Sequence, residues 1–387
     1  MNFPIYLDNH ATTPLDPEVL EAMLPWLKEK FGNAASKDHS YGWEAESIVK
    51  LSRKKIAEFI GASQNEIIFT SGATEAINLA HFGVADKYGT KKKNIITSPV
   101  EHNAVLDSLN ALAGKGFDIN ILPVDNYGRI DINMLVDAIN ENTILVSIMT
   151  ANNEIGNIYD INSIGQICRE RHIIFHTDAT QALGKIPINI QNVDLASFSA
   201  HKLYGPKGIG ALYVRNKNPH VKLSPQIFGG GHENGMRSGT LNVPGIAGFG
   251  KAVEIAAAKM ETESHRLSSY RNKLLNAFTD LNAGVNGDPV NHLPNNLNLC
   301  FEGVRAENLM INLRTIAVST GSACTSASLK PSHVLNAIGL SDEKAKSSIR
   351  FGLGRFNTED EIDYVIKEFI NKVKELRKKN IKELITH

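Results

Sequence analysis

The stretch SFSAHKLYGPKGIGALYV, residues 197–214, sets a lysine between a short polar run and a glycine-rich turn. The largely apolar stretch 193–198 predicts a buried strand that delivers Ser199, His201 and Lys202 to its end. The glycines at positions 205, 208 and 210 let the backbone approach a ligand closely. Desolvation and nearby cations lower the pKa of an amine, so a lysine held at such a place can become neutral and reactive. By itself the stretch is equally compatible with a solvated lysine in a surface turn.

An acid lies at the end of another predicted strand. Residues 173–175 are apolar and lead into HTDATQ (176–181), which puts Asp178 at a strand's carboxyl end. Ligands of open α/β sheets bind beyond the carboxyl ends of the strands. A carboxylate keeps a pyridine nitrogen protonated, and a neutral amine forms a Schiff base with an aldehyde cofactor. Asp178 and Lys202 together therefore favour a pyridoxal phosphate (PLP) site over an N-cap or a solvated charge.

A helix N-terminus provides a candidate phosphate site. Residues 71–75, SGATE, follow a predicted strand and open a helix, so backbone N–H groups and the Thr74 hydroxyl can hold a phosphate there. Alone, this segment is more typical of an ordinary N-cap. Beside Lys202 it becomes the natural position for the cofactor phosphate, with Ser199 and His201 as further donors.

Composition excludes some classes of partner. Among 387 residues, 41 basic side chains balance 41 acidic ones, so no overall field favours nucleic acid or an anionic membrane. No apolar stretch reaches membrane-spanning length, and the N-terminus MNFPIYLDN lacks a basic segment followed by an apolar one. We therefore expect a cytoplasmic protein that neither binds DNA directly nor enters a membrane.

The three cysteines are far apart and support neither a disulfide framework nor a metal site. Cys168 lies in a helical pattern and Cys300 in an apolar run, which predicts two buried thiols. Cys324 differs, because its neighbours STGSA (319–323) and TSAS (325–328) are small and polar. This pattern predicts an exposed, mobile loop with an accessible thiol.

Strand patterns alternate with helical patterns through the first 250 residues. The predicted strands cover residues 66–70, 94–97, 144–149, 173–175 and 195–198. Such alternation predicts an α/β fold with a mainly parallel sheet covered on both faces. A long helix predicted over 253–281 then leads into shorter elements. We therefore expect a large domain over 16–255 and a smaller α+β C-terminal domain over 256–387.

Longer motifs resemble a known family. In chain order they are YLDNHATTP (6–14), FTSGATEAINLA (69–80), EHNAVL (101–106), ANNEIG (151–156), HTDATQALGK (176–185), the opening stretch (197–214), GGGHENGMRSGTLNVPGI (229–246), STGSACTSASLKPSHVL (319–335) and SSIRFGLGRF (347–356). On these motifs the chain resembles the PLP-dependent cysteine desulfurases of the iron–sulfur cluster assembly type, within the class V aminotransferases. The resemblance implies PLP-dependent transferase fold type I, with a mainly parallel seven-stranded sheet. It also implies that residues 1–15 pack on the smaller domain.

The resemblance further implies the role of each site residue. Cys324, Lys202 and His102 would be catalytic, and Arg350 with Asn153 would bind the substrate, Arg350 as the bidentate clamp for its α-carboxylate. The implied cofactor-binding residues are Ala73, Thr74, His102, Asn153, Asp178, Gln181, Ser199, His201, Lys202 and Thr240. Thr240 would reach the phosphate of the neighbouring subunit, which implies a homodimer with shared sites. Arg355, close to Arg350 in sequence, is assigned a structural role.

The implied reaction converts L-cysteine to L-alanine and leaves a persulfide on Cys324. Lys202 would move the α-proton, Asp178 would maintain the electron sink, and His102 would help to make the substrate a thiolate. The sulfur would then pass to an acceptor protein, either an iron–sulfur scaffold or a carrier for tRNA thiolation. Housekeeping relatives often have a C-terminal tail that helps to dock the scaffold. This sequence ends at His387 without those residues, which leaves the acceptor open.

Two other interpretations account for part of the pattern. A PLP-dependent aminotransferase or a selenocysteine lyase of the same fold would share Lys202 and Asp178 but would need no sulfur-accepting Cys324. A non-catalytic docking protein for cluster assembly would not need Lys202, Asp178, Thr74 and Arg350, all of which are present.

Overall fold

A computed structural model describes residues 1, 3–320 and 331–385. The strands are β1 (Ile5–Tyr6), β2 (Ile67–Thr70), β3 (Asn94–Thr97), β4 (Asp118–Ile121), β5 (Thr143–Ser147), β6 (Ile174–Asp178), β7 (Leu195–Ser199), β8 (Gly210–Val214), β9 (Gly284–Val285), β10 (Asn296–Cys300), β11 (Ile316–Ala317) and β12 (Ser348–Gly352). The helices are α1 (Pro17–Lys28), α2 (Ser40–Ile60), α3 (Ala73–Tyr88), α4 (Asn103–Ala113), α5 (Ile132–Ala138), α6 (Ile161–Glu170), α7 (Val243–Thr279), α8 (Ala306–Asn312), α9 (His333–Ala337), α10 (Asp342–Lys346) and α11 (Glu359–Ile385).

The largest sheet has seven strands in the order β2-β8-β7-β6-β5-β3-β4. Neighbouring strands from β7 to β4 run parallel, whereas β8 runs antiparallel to both β7 and β2. Every residue of β3, β5 and β7 is buried, as expected for parallel strands that are covered on both faces. The predicted seven-stranded, mainly parallel sheet of fold type I is therefore confirmed.

The predicted strand 94–97 has the same bounds as β3, and the other four predicted strands are present with ends shifted by up to three residues. Two strands of the large sheet were not predicted. β4 has the sequence DINI and its residues are exposed or only half-buried, so it lacks the apolar run that marks a buried strand. β8 begins at Gly210, directly after the glycine-rich turn, where glycine indicates a loop more than a strand.

The long helix begins ten residues earlier than predicted, at Val243 instead of residue 253. Glycines in its first turns lower its helix propensity, so the sequence pattern does not predict its first ten residues as helix. Tertiary packing explains them: a Cβ on Gly250 would lie 2.6 Å from Ser52 Oγ, and one on Gly248 would lie 2.7 Å from Met23 Sδ. The small residues thus allow α7 to lie close against α1 and α2.

A second core forms around the C-terminal part of the chain. It combines the antiparallel sheet β12-β10-β9 with α8, α11 and the end of α7. The N-terminal segment joins it, because β1 pairs in parallel with β11 and Ile5 and Leu7 are fully buried there. The division of the chain at residue 255 stays a prediction.

The N-terminal segment continues from this core to the large sheet. Asn9 N–H donates to the Gly352 carbonyl at 3.1 Å, and Thr13 N–H donates to the His201 carbonyl at 3.0 Å. Residues 9–13 therefore bridge β12 and the lysine segment after β7.

Cys168 and Cys300 are both buried, as predicted. Within residues 1, 3–320 and 331–385, no helix has the length and apolar character needed to cross a membrane.

Candidate active site

A cavity of about 590 Å³ lies at the carboxyl ends of β6 and β7 and the N-terminal ends of α3 and α4. Its lining contains the following predicted site residues: Ala73, Thr74, His102, Asn153, Asp178, Gln181, Ser199, His201, Lys202 and Arg350. Thr240 is exposed and is not part of this lining. Cys324 lies outside the described residues.

Lys202 ends the short 3₁₀ turn Ala200–Lys202 that follows β7. Its Nζ donates to the backbone carbonyls of His10 at 2.6 Å and Ala11 at 2.5 Å. The amine is thus held at the cavity wall by the N-terminal segment. A lysine in this position can reach a ligand in the cavity by rotation of its own side chain.

The N-terminus of α3 is open toward the cavity. Many helices of the described chain begin with a side-chain cap, provided by Asp16, His39, His102, Asp131, Asp160, Asn242, Ser332 and Ser341. α3 instead begins after Gly72, which contributes no side-chain cap. A Cβ on Gly210 would lie 2.6 Å from Gly72 Cα, so the two glycines let β8 and the cap pack closely. The first N–H groups of α3 remain available to an anion.

Two polar groups of β6 and its following turn face the same cavity. Asp178 is buried, and its Oδ1 accepts the Thr180 N–H at 3.0 Å. Thr180 Oγ1 is buried without a hydrogen-bond partner among the described residues. PLP has a pyridine nitrogen, an aldehyde and a phosphate, together with further polar ring substituents. The cavity provides an acid, an amine, an open helix N-terminus and an unused hydroxyl, which match these groups. The cavity therefore fits this cofactor.

His102 caps α4 and lines the cavity. Its Nδ1 accepts the Ala104 N–H at 3.1 Å, so the neutral ring carries its proton on Nε2. Burial lowers the pKa of His102 below its usual 6.5; Lys202 and His333 act in the same direction, and Asp178 opposes them. The imidazole is consequently neutral at physiological pH.

His201 is held at the cavity wall by the N-terminal segment. Its Nδ1 lies 3.0 Å from Thr12 Oγ1. Burial, followed by the charges of Lys202, Lys207 and Lys185, lowers the pKa of His201 to about 4. The ring is therefore a neutral hydrogen-bonding group and not a cation.

Arg350 reaches the cavity from β12 and is 1% exposed. Its Nη2 lies 2.7 Å from Asp8 Oδ1, and its Nη1 donates to the Asn153 carbonyl at 2.9 Å. Arg355 is different, because it pairs with Asp16 and Glu263 and does not line the cavity. This agrees with the structural role assigned to it.

Several lining residues were not predicted from the sequence. They are His10, Thr180, Glu154 and His333, together with Lys185, which contacts the lining from behind. Thr180 and Lys185 lie in the HTDATQALGK motif, and His10 lies in YLDNHATTP. These motifs could therefore have indicated that the three residues lie at or near the site. Nothing in the local pattern indicates that residue 10 meets residue 181, because that contact depends on the tertiary fold.

The chain was compared with known proteins. Residues 5–365 match the family described as Aminotransferase class-V. The chain is 54% identical over 382 residues to "Cysteine desulfurase IscS" of Anaeromyxobacter sp. (strain Fw109-5), covering 97% of this chain and 94% of that protein. It is 54% identical over 371 residues to "Cysteine desulfurase IscS" of Salmonella paratyphi B, covering 95% and 92%.

Solved structures agree with these relatives. A structure described as a NifS-like protein superimposes with a TM-score of 0.89 at 40% sequence identity, covering 95% of this chain and 99% of that one. Another, described as SspA in complex with cysteine, has a TM-score of 0.81 at 38% identity, covering 92% and 100%.

These matches extend over nearly the whole chain, so they include both cores and the cavity between them. They confirm the resemblance that the motifs indicated, and with it the PLP cofactor. The chain belongs to the class V aminotransferase family and, within it, to the PLP-dependent cysteine desulfurases.

Proposed function

We propose that this cavity is where the enzyme converts L-cysteine to L-alanine, with the sulfur leaving as a persulfide on Cys324. The observation that carries the proposal is the convergence of Lys202, Asp178, the α3 N-terminus and Arg350 on one cavity. The relative solved in complex with cysteine supports the choice of substrate. An aminotransferase would use most of the same groups, so the fate of the sulfur distinguishes the two functions.

The residues that would hold the cofactor follow from their positions. Asp178 would contact the ring nitrogen, and Ala73, Thr74, Ser199 and His201 would bind the phosphate. Gln181, Asn153 and His102 would contact the ring and its substituents. Bound there, PLP supplies an electron sink for the carbon that carries the substrate's amine.

The chain's own residues would then act on the substrate. Arg350 would bind the α-carboxylate, and Lys202 would take the proton from the adjacent carbon. His102 has its Nδ1 engaged by the Ala104 N–H, so Nε2 is the nitrogen that would meet the substrate's sulfur. The Nε2–H of the neutral ring would donate a hydrogen bond to the substrate's sulfur and so stabilise it as a thiolate.

The sulfur step requires a thiolate on Cys324. This thiolate would attack the substrate's sulfur and form a sulfur–sulfur bond, while the carbon–sulfur bond breaks with its electron pair left on carbon. The carbon would take up a proton, and the product would be L-alanine. Atoms and charge balance without an external oxidant, because the substrate carbon is reduced as the sulfur is oxidised.

A product assay tests the proposed function. Purified protein with PLP, L-cysteine and an excess of dithiothreitol should release alanine and sulfide in equal amounts. With a 2-oxo acid added as amino acceptor, formation of 3-mercaptopyruvate, which keeps the sulfur on carbon, would instead identify an aminotransferase. Efficient turnover of L-selenocysteine with little turnover of L-cysteine would identify a selenocysteine lyase. Protein that takes up no PLP would support a docking role.

The Arg350 clamp gives a prediction with two separable effects. Replacing Arg350 by glutamine should raise the KM for L-cysteine about 10- to 100-fold, because a charged hydrogen-bonding pair with the carboxylate is lost. It should also lower the free energy of unfolding by roughly 2 kcal/mol, since the half-buried Asp8 loses its charged hydrogen-bond partner. Steady-state kinetics and urea unfolding measure the two effects.

Asp8→Asn is the matched control, because it breaks the same ion pair but keeps the guanidinium. Its unfolding free energy should fall as well, while its KM stays within about threefold of the wild-type value. An equal rise of KM in both variants would show that the ion pair with Asp8, and not the Arg350 charge by itself, determines substrate binding.

We further propose a homodimer in which Thr240 completes the partner's phosphate site. The loop that carries Thr240 is anchored to its own chain: Glu233 pairs with Arg53 at 2.6 Å and Arg237 pairs with Glu75 at 2.7 Å. Thr240 itself is exposed, and Phe228 in the same segment is 80% exposed. A firmly anchored loop with an exposed aromatic ring is typical of a protein interface.

A mixed dimer tests this sharing of sites. The protein should sediment with the mass of two chains, and Thr240→Ala should weaken PLP binding about tenfold through one lost hydrogen bond to the phosphate. In a dimer of one Lys202→Ala chain and one Thr240→Ala chain, one cavity combines an intact Lys202 with the partner's intact threonine. Wild-type PLP affinity at that cavity is expected; persistently weak binding would mean that Thr240 serves its own chain.

The identity of the protein that accepts the sulfur is a separate part of the proposal. We infer that the persulfide sulfur passes to an acceptor protein, with an iron–sulfur scaffold or a tRNA-thiolation carrier as the candidates. The resemblance to cluster-assembly enzymes supports these candidates. A cytoplasmic location stays a prediction, in line with the two unpaired buried thiols of Cys168 and Cys300.

A further inference from the structure

A second lysine lies behind the cavity and contacts its wall. Lys185 Nζ donates to Gln181 Oε1 at 2.7 Å. Its backbone carbonyl accepts the Ser264 hydroxyl of α7 at 2.7 Å, which fixes the turn that carries it. The mechanism above does not use this amine, although it is close enough to Lys202 and Arg350 for their charges to affect it.

Gln181 connects Lys185 to the N-terminal segment, because its side chain contacts both Lys185 and His10. With its proton on Nδ1, the His10 ring donates to the same Gln181 Oε1, at 2.9 Å. Gln181 Nε2 donates to the His10 carbonyl at 3.0 Å. Because two donors meet Oε1, the orientation of the carboxamide is fixed and its N–H group must face the His10 carbonyl.

The His10 carbonyl is also the acceptor for Lys202 Nζ, at 2.6 Å. The imidazole of His10 is fully buried, and its Nε2 lies 3.2 Å from the Asn295 carbonyl. A neutral ring with its proton on Nδ1 does not donate to Asn295, so the His10 carbonyl is held by the N–H of Gln181 and by the burial of the ring that donates to Gln181. A rigid acceptor of this kind binds an amine better than a mobile one, because little order is lost on binding.

We propose that Lys185, Gln181 and His10 form a clamp that fixes the His10 carbonyl as the docking position for the Lys202 amine whenever an amino acid has displaced it from the cofactor. The inference rests on the proposed role of Lys202. Lys185 is then a positioning residue for the reaction, and the clamp stabilises the state in which Lys202 is released.

The exchange that the clamp favours is balanced. The carbon–nitrogen double bond that holds Lys202 would break as one forms with the incoming amine, and the two protons lost by the incoming ammonium group would pass to the Lys202 nitrogen. Loss of the clamp should thus disfavour binding of an amino acid to the cofactor. It should not weaken PLP binding, because Lys202 leaves the docking position when it joins the cofactor.

The charge on Lys185 can be controlled in the experiment. Burial, followed by the charges of Lys202 and Arg350, lowers the pKa of Lys185 to about 7. The charged or titratable groups around it are Lys202 and His201 after β7, Arg350 on β12, which is paired with Asp8, and His10 in the N-terminal segment. At pH 8 the amine is mostly neutral, so Lys185→Met chiefly removes a hydrogen-bond donor.

The test titrates the PLP-loaded enzyme with L-alanine at pH 8 and follows the absorbance of the cofactor. In Lys185→Met, the alanine concentration for half of the spectral change should rise about tenfold, and PLP affinity should be unchanged or tighter. His10→Asn removes the ring contacts from the other side of the clamp and should act in the same direction, which keeps the test valid if one variant folds poorly. Lys207→Met, which changes another lysine at the cavity, is the control and should leave the titration unchanged.

The outcomes separate the clamp from its alternatives. Alanine and PLP binding that weaken together, with a lower melting temperature, would indicate a merely structural role and overturn the proposal. An unchanged alanine titration in both clamp variants would also overturn it. Borohydride reduction and peptide mapping of the wild-type enzyme check the underlying function separately: a PLP adduct on Lys185 instead of Lys202 would contradict the proposed function itself.

Discussion

Replacing Lys202 by alanine is expected to abolish turnover of L-cysteine, with a loss of at least about 10³-fold in kcat, as for removal of a general acid–base group. The amine lies at the cavity wall, between the end of β7 and the carbonyls of His10 and Ala11. No other lysine of the lining extends from a strand end, so nothing among the described residues would replace it. Alanine formation over hours, with PLP supplied in excess, measures the residual rate.

Lys202→Arg and Lys207→Ala are the matched controls. Arginine keeps the positive charge but cannot act as a neutral amine, so its activity should be as low as that of Lys202→Ala. Lys207 lines the same cavity but is exposed, and its replacement should change kcat less than about tenfold. Activity of Lys202→Ala within tenfold of the wild type would remove Lys202 from the proposed mechanism.

The sequence was sufficient to predict the sheet and the strand-end residues, because these depend on short local patterns. An apolar run that stops at a polar residue determines both the buried strand and the side chain at its end. For this reason Asp178, Ser199 and Lys202 were placed correctly at the carboxyl edge of the sheet. Their presence around one cavity follows from the parallel direction of β6 and β7.

Features that depend on long-range packing were not predictable in this way. The early start of α7 could not be predicted, because its first turns contain glycines, which disfavour a helix. These glycines are explained by close packing against α2, which the local sequence does not show. The clamp requires residue 10 to meet residue 181, and this becomes possible only after β1 pairs with β11. Similarly, the exposed position of Thr240 gives no local sign of a partner, and its proposed role comes from the family resemblance.

Cys324 lies outside the described residues, but both flanks of its segment are fixed at the cavity. Ser319 and Arg350 exchange backbone hydrogen bonds, the shorter of which is 2.7 Å. On the other side, Ser332 Oγ donates to Glu154, and His333 Nε2 lies 2.9 Å from the Glu101 carbonyl. Five positions separate Ser319 from Cys324, a reach of up to roughly 18 Å for an extended chain. This reach supports the proposal that the thiol meets a substrate held by Arg350.

Replacing Cys324 by alanine is expected to lower the formation of alanine and sulfide to below about one thousandth of the wild-type rate, because no other thiol can take the sulfur. Cys300→Ala is the matched control. Burial raises the pKa of the Cys300 thiol and keeps it inert, so this variant should retain nearly full activity.

The two halves of the reaction should separate in Cys324→Ala. The variant keeps Lys202, so exchange of the L-cysteine α-hydrogen with deuterium from D₂O should continue within about tenfold of the wild-type rate. Lys202→Ala should lose this exchange together with turnover, and proton NMR of the recovered cysteine distinguishes the two variants. Sulfide release from Cys324→Ala at the wild-type rate would mean that the sulfur leaves directly to solvent. Loss of the hydrogen exchange would instead show that Cys324 is needed before the carbon–sulfur bond breaks.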